Sequence, residues 1–292
     1  MILYWLLRLG RPLWQRLPQS VAYFLASGLA DLSFLCWRRL RRTTMANLRP
    51  VLGPHAEHRA VVQAARQSLR NYGKYLVDFV RLPALSPSDI QRLFRFSGWE
   101  AIDAALHEGR GVVLIGLHMG NWDLGGAALA LRDYPLNVVV EPFRPRRLNE
   151  WIQETRHRLG MRTIPMESLL SITRALRRSE MLALLIDRPD PLNGVWVSFC
   201  NAVTRVPAGA ATLALRSGAR VVTAGVVRLP DNTYLGVADA ALSFEPTGDL
   251  ARDVQHLTQL IMTSLEGLVR RYPDQWYMFR PMWVEPPREP AA

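Results

Sequence analysis

GVVLIGLHMGNWDLGG, Gly111 to Gly126, is the stretch on which the reading of the chain turns. Val112–Leu117 is a continuous apolar run, the pattern of a strand buried on both faces. It stops at His118. Gly120-Asn121 then turns the chain, and Asn121 is a good helix cap, which places Asp123 in the first turn of a helix predicted over Asn121–Arg132. Strand, turn and helix in this order form the unit of an α/β sheet. In open sheets of that kind ligands gather at the carboxyl ends of the strands, so His118 stands where chemistry is expected.

The same alternation repeats along the chain. Apolar runs at Leu136–Val140, Met181–Ile186 and Arg220–Val227 predict further strands, and helical spacing predicts helices over Leu148–Leu159, Ser168–Arg178 and Ala208–Ser217. The fold class is therefore α/β, a central, mostly parallel sheet flanked by helices. GVWVSF and TYLGVA are expected as antiparallel additions near one edge, and Asp249–Tyr272 as a long closing helix. Upstream, Val61, Val62, Ala65, Leu69, Tyr72, Leu76, Phe79 and Val80 give residues 55–82 a helical stripe. A linker at Leu82–Asp89 comes next, with Ser88 or Asp89 as a helix cap. The expected division is residues 1–45 as N-terminal membrane-attachment helices, 46–283 as the α/β domain, and 284–292 as a loose tail.

The charge is lopsided: 36 Lys and Arg against 25 Asp and Glu, with Lys74 the single lysine. Arginine offers forked donors suited to phosphate and carboxylate, so the excess points to an anionic partner. No nucleic-acid motif or aromatic platform accompanies it, and a membrane surface is the expected partner rather than nucleic acid. Val21–Trp37 carries one charge, Asp31, and runs into Arg38-Arg39-Leu40-Arg41-Arg42. It is short for a span, which needs about 20 apolar residues, and lacks the small-residue cleavage pattern of a secretory signal. With the apolar piece Met1–Trp14 before it, the segment reads as membrane-surface helices with an arginine collar on the cytoplasmic side. A helix packed on the protein's own core, or a true span, are the alternatives. Cys36 and Cys200 form no disulfide framework, and a reducing compartment is the default.

His118 and Asp123 admit two readings. A carboxylate bonded to one ring nitrogen fixes the histidine tautomer and raises the basicity of the other nitrogen, and such a dyad can deprotonate an external hydroxyl. Alternatively, the pair is a strand-end histidine beside an acid that favours a helix start for dipole reasons. A metal-dependent phosphoesterase and a non-enzymatic basic membrane- or nucleic-acid-binding protein are the competing functions. The remaining histidines, His55, His58, His107, His157 and His256, make no convincing ligand set for the first. Arg144, Arg146 and Arg147 follow the second strand on the same edge as His118, where they could hold phosphate. Asp187-Arg188 closes the third strand there, Asp187 either orienting a substrate or pairing with Arg188. Pro207 and Gly209 stand at a helix start that could receive an anion.

HMGNWDLGG resembles the acyltransferase motif of the lysophospholipid acyltransferase superfamily and looks closest to its lipid A lauroyl/myristoyl branch, within which the chain is most similar to the phosphatidylinositol mannoside acyltransferases. RRTTMANL (Arg41–Leu48), VVVEPFRP (Val138–Pro145), LLIDRPDPLNGVWVSF, RVPAGAATLALRSGA and YPDQWYMFRPMW are similar to further family blocks in the same order, over roughly residues 20–283. The resemblance implies acyl transfer with no covalent enzyme intermediate: His118 takes a proton from an acceptor hydroxyl, Asp123 orients His118, and the oxygen attacks the thioester of acyl-CoA or an acyl carrier protein. That thioester is a substrate, and no cofactor or metal is expected. Backbone N–H groups of the Gly120 turn are candidate oxyanion donors. Glu141 is implied as a further catalytic acid, with Asn121, Arg144, Arg156, Asp187 and Arg188 binding substrate. The expected acceptor is a membrane (glyco)lipid, and the expected location the cytoplasmic face of the cell (inner) membrane, peripheral or N-terminally anchored.

Overall fold

In the computed structural model, which describes residues 14–284, the Gly111–Gly126 stretch forms the middle of a seven-stranded sheet. In chain order the strands are β1 Phe94–Ser97, β2 Val112–Gly116, β3 Leu136–Val140, β4 Arg162–Pro165, β5 Met181–Leu185, β6 Val195–Phe199, β7 Ala202–Val206, β8 Arg220–Arg228 and β9 Tyr234–Ala238. The sheet order is β1-β9-β8-β2-β5-β3-β4. Strands β8, β2, β5, β3 and β4 are mutually parallel. β9 returns antiparallel to β8, as TYLGVA suggests, and β1 then lies parallel to β9. GVWVSF departs from expectation. It pairs with β7 in a separate hairpin packed on the closing helix, because the short Cys200-Asn201 turn returns the chain directly onto itself.

The helices are α1 Gln19–Cys36, α2 Arg38–Leu52, α3 His58–Arg81, α4 Pro87–Leu93, α5 Trp99–His107, α6 Trp122–Ala130, α7 Arg146–Arg158, α8 Leu169–Arg177, α9 Gly209–Ser217 and α10 Leu250–Arg271. Alternate residues of β2 enter opposite cores. Val113 and Ile115 pack with α8, α9 and α10, whereas Val112 and Leu114 pack with α5 and α6. All four are at most 6% exposed, so the strand must be apolar at every position rather than at every second one. Ahead of α4 the cap is Ser86, not Ser88 or Asp89. Its hydroxyl accepts from the Asp89 N–H while the Asp89 carboxylate accepts from the Ser86 N–H, a reciprocal box.

The expected boundary at residue 45 falls inside α2, while residues 1–13 and the tail 285–292 lie outside the described residues. Asn47 on α2 donates to the carbonyls of Met278 and Arg280 and accepts from the Met282 N–H, which ties the N-terminal helices to the last segment of the chain. A buried ion pair, Arg228 to Asp78 at 2.5 Å, joins β8 to α3, and the Tyr23 and Tyr234 hydroxyls add α1 and β9 to the same carboxylate. α1 thus packs on the protein through Ala22, Tyr23, Ala26, Ala30 and Phe34. Its other face leaves Phe24, Leu29, Leu32 and Leu35 exposed, with Trp37 beyond.

Candidate active site

β2 and β5 lie side by side with Gly116 next to Leu185. Two residues further along each strand stand His118 and Asp187, so sheet register alone brings them together. The His118 Nδ1 is 2.7 Å from Asp187 Oδ1, and the His118 backbone N–H donates to Oδ2 at 3.0 Å. The Trp276 indole N–H donates to the same Oδ2 at 2.8 Å. Asp187 is fully buried. Burial alone would raise its carboxyl, but pairing with the His118 ring and the N–H groups of the His118 backbone and Trp276 hold it below the ordinary carboxylate range. The His118 side chain is 18% exposed, and among the described residues no group bonds its Nε2.

The last segment of the chain straps this turn in place. Met119 and Trp276 form an antiparallel bridge, Tyr277 N–H donates to the His118 carbonyl, and Gly120 N–H donates to the Gln275 carbonyl at 3.1 Å. Within the turn, the Gly120 amide itself is therefore taken by Gln275 and is not an open oxyanion donor. Gly120 itself is obligatory, since φ is +58° and a Cβ would stand 1.9 Å from the Val226 carbonyl oxygen. Ser68 and Asn71 of α3 hold the strap from outside through the carbonyls of Trp276 and Asp274.

Asp123 does not orient His118. α6 carries it inward between α3 and α7, where its carboxylate accepts from Arg156 Nε at 2.7 Å and from the Tyr75 hydroxyl at 2.8 Å. Burial pulls the Arg156 guanidinium down, and the Asp123 charge more than reverses that. Arg156 is 8% exposed, neither a cavity-lining cation nor a solvated one. Asp123 reaches the histidine only through aromatic rings: Tyr75 packs on Trp122 at 4.3 Å, and Trp122 meets His118 edge-on at 5.4 Å.

Glu141 pairs with Arg188 rather than with His118, and Asp187 pairs with His118 rather than with Arg188. Burial and the neighbouring Arg280 charge hold the Arg188 guanidinium below its usual value, against the pull of Tyr72. Asn121 is fully buried, and its side-chain oxygen caps α6 through the Leu124 N–H. Its Nδ2 has no hydrogen-bond partner among the described residues. Arg144 and Arg147 are exposed after β3, and Arg146 pairs with Glu150. Trp276, Gln275 and Tyr75 escaped the reading of single residues, because an indole or phenol that holds a carboxylate across the fold leaves no local pattern. Among the described residues no three His, Cys, Asp or Glu side chains gather as a metal-ligand set.

The arrangement can do one thing well: a histidine with Nδ1–H fixed by a buried carboxylate and Nε2 open can accept a proton from a bound hydroxyl. Comparison with known proteins finds acyltransferases. The family model described as "Bacterial lipid A biosynthesis acyltransferase" matches residues 1–285. A phosphatidylinositol mannoside acyltransferase of Mycobacterium tuberculosis is 28% identical over 225 residues, covering 74% of this chain and 69% of the relative. Its counterpart from Mycolicibacterium smegmatis is 28% identical, covering 75% and 72%. A lipid A biosynthesis palmitoleoyltransferase of Escherichia coli is 27% identical over 235 residues, covering 78% and 76%.

Proposed function

The chain belongs to the bacterial lipid A biosynthesis acyltransferase family and is a lipid acyltransferase, and from that premise we propose that it moves a fatty acyl group from a thioester, acyl-CoA or acyl carrier protein, to a hydroxyl of a membrane glycolipid. His118 Nε2 takes the hydroxyl proton as the oxygen attacks the thioester carbonyl. The tetrahedral intermediate then expels the thiolate, which the protonated His118 can reprotonate. Asp187 keeps the proton on Nδ1 and stabilises the imidazolium. The observation that carries this reading is the buried Asp187 on Nδ1 with Nε2 left open. No Ser, Thr or Cys hydroxyl or thiol bonds the ring among the described residues, so the nucleophile is the acceptor's own hydroxyl.

Asp123, with Arg156 and Tyr75, positions Trp122 behind the histidine. Glu141 acts on Arg188, whose guanidinium, with exposed Arg144, faces the phosphates of the donor or of the acceptor headgroup. The apolar face of α1, followed by Arg38, Arg39, Arg41 and Arg42, lies on an anionic membrane surface. Its 18 residues are long and apolar enough to cross a membrane. Asp31, however, binds both Arg66 and Arg70 of α3, and spanning would carry that network into hydrocarbon, so we favour a helix lying in the interface. A cytosolic thioester places the enzyme at the cytoplasmic face of the inner membrane.

The test is incubation of the protein with acyl-CoA or acyl carrier protein thioester and total membrane lipids, with mass spectrometry of the products. The wild type should yield a new acylated lipid, and His118→Ala should lose at least a thousandfold in rate while still binding vesicles. Near-normal transfer by His118→Ala refutes the mechanism.

A further inference from the structure

The seam between α1 and α3 builds a second polar site that shares no residue with the His118 centre. α1 presents Ser20, Phe24, Ser27 and Asp31 at steps of four, three and four, one face of a helix, while α3 presents Arg66, Arg70 and Lys74 at steps of four. A groove of about 440 Å³ opens between them, its lining including Ser20, Ser27, Gly28 and the Asp31 carboxylate of α1, Arg70 and Lys74 of α3 and, from the β8–β9 turn, Asn232. At Gly73 the two helices nearly touch, since a Cβ there would meet the Ala26 carbonyl oxygen at 3.0 Å. The close crossing makes the adjoining groove a fixed feature of the packing.

The charges around the groove do not balance. Asp31 is taken by Arg66 and Arg70, at 2.7 and 2.5 Å. Asp78, on the inner side, is taken by Arg228, Tyr23 and Tyr234. Lys74 pairs with no carboxylate among the described residues, and its Nζ stands 5.6 Å from the centre of the Tyr23 ring. Burial, then the Arg228 and Arg70 charges, hold its ammonium below the usual value in spite of Asp78. Ser20, Ser27 and Asn232 line the same groove, with two hydroxyls and an amide able to donate. At the rim, Phe24 is 77% exposed, and the apolar stripe continues along α1 through Leu32 and Leu35.

We propose that this groove holds the phosphodiester headgroup of one anionic phospholipid that is neither acyl donor nor acceptor, with its acyl chains lying along the exposed face of α1. A phosphodiester supplies the missing negative charge and the acceptors for Lys74, Ser20, Ser27 and Asn232. The apolar rim selects a lipid over a free anion. The inference is independent of the reading of His118.

The experiment is native mass spectrometry and thermal melting of the full chain in detergent, titrated with dioleoyl phosphatidylglycerol, dioleoyl phosphatidylcholine or inorganic phosphate. Wild type and His118→Ala should each retain one phosphatidylglycerol. Lys74→Gln should weaken that binding at least tenfold. Gly28→Leu should do the same by filling the groove, where a Cβ meets nothing within 4 Å. Leucine also favours the helix, keeps the charge and adds apolar surface, so general attraction to lipid would be kept or strengthened in this variant. Retention of phosphatidylglycerol by folded Gly28→Leu at the wild-type level overturns the site. Equal binding of phosphatidylcholine overturns the charge argument, and an equal melting shift with inorganic phosphate overturns the assignment to lipid.

Discussion

Exchanging Asp187 for asparagine changes one heavy atom and should change the tautomer of His118. The Oδ2 of Asp187 accepts two N–H donors that cannot reverse, the His118 backbone and the Trp276 indole. An asparagine keeps both only by placing its amide oxygen there, which turns its NH₂ toward Nδ1. Nδ1 must then accept, the ring proton moves to Nε2, and the open nitrogen can no longer take a proton from the acceptor. Loss of the correct tautomer costs about 10³–10⁴ in rate, or about 4–5.5 kcal/mol of barrier. Stability should fall by only about 1–2 kcal/mol, since all three hydrogen bonds are kept and only the carboxylate charge that strengthens them is lost. Asp123→Asn should do the reverse. It breaks a buried ion pair, at about 3–5 kcal/mol, and at about 2–4 °C per kcal/mol the melting temperature falls by roughly 6–20 °C. The assay is initial-rate acyl transfer at a temperature where both variants are folded, beside thermal melts. If Asp187→Asn keeps activity within tenfold while folded Asp123→Asn loses more than a thousandfold, the pairing assigned to His118 is wrong.

Gly120→Ala should leave the sheet folded but abolish transfer, because a methyl 1.9 Å from the Val226 oxygen forces the His118 turn away from its strap; normal kcat in this variant would contradict the fit. Asp187 has a carboxyl held below its unfolded value, so its contribution to stability is complete above the ordinary range near pH 4 and is lost as pH falls through the lowered folded value. The acid limb of the melting curve should accordingly be flatter in Asp187→Asn than in wild type. Burial, reinforced by Glu266, pushes the Cys200 thiol up to about 12, whereas Cys36 is exposed at the end of α1. A maleimide at pH 7.5 should label Cys36 alone, and anionic vesicles should protect it; labelling unaffected by vesicles would place α1 off the membrane.

The α/β alternation could be read because strands buried on both faces are apolar at every position, and helices between them keep a 3.6-residue stripe. β4 and β7 were not legible: RTIP and AVTRV are short and half exposed, so neither signal reaches strength. For the site, the end of β2 singles out His118, and the structure sets that residue at the carboxyl edge of the sheet against Asp187. The partner was misread because Asp123 is close in sequence, whereas Asp187 is close only once β5 is known to neighbour β2. Strand order is a property of the whole sheet, and no window of residues contains it. Arg156, expected against substrate, differs for a related reason: only the docking of α6 beside its helix makes it the counter-ion of Asp123.

The His118–Asp187 pair is set by the hydrogen-bond register of two central strands, not by the length of any loop. The segments after β3, β4 and β8 open on the same sheet edge yet contribute no atom to that pair. Insertions, deletions and charge changes in them can redraw what is held against Nε2 without altering the distance across the dyad. Acceptor choice and chain-length choice can therefore drift among descendants of this scaffold while the proton-transfer step stays constant, and loop grafting is the natural route to changing specificity by design.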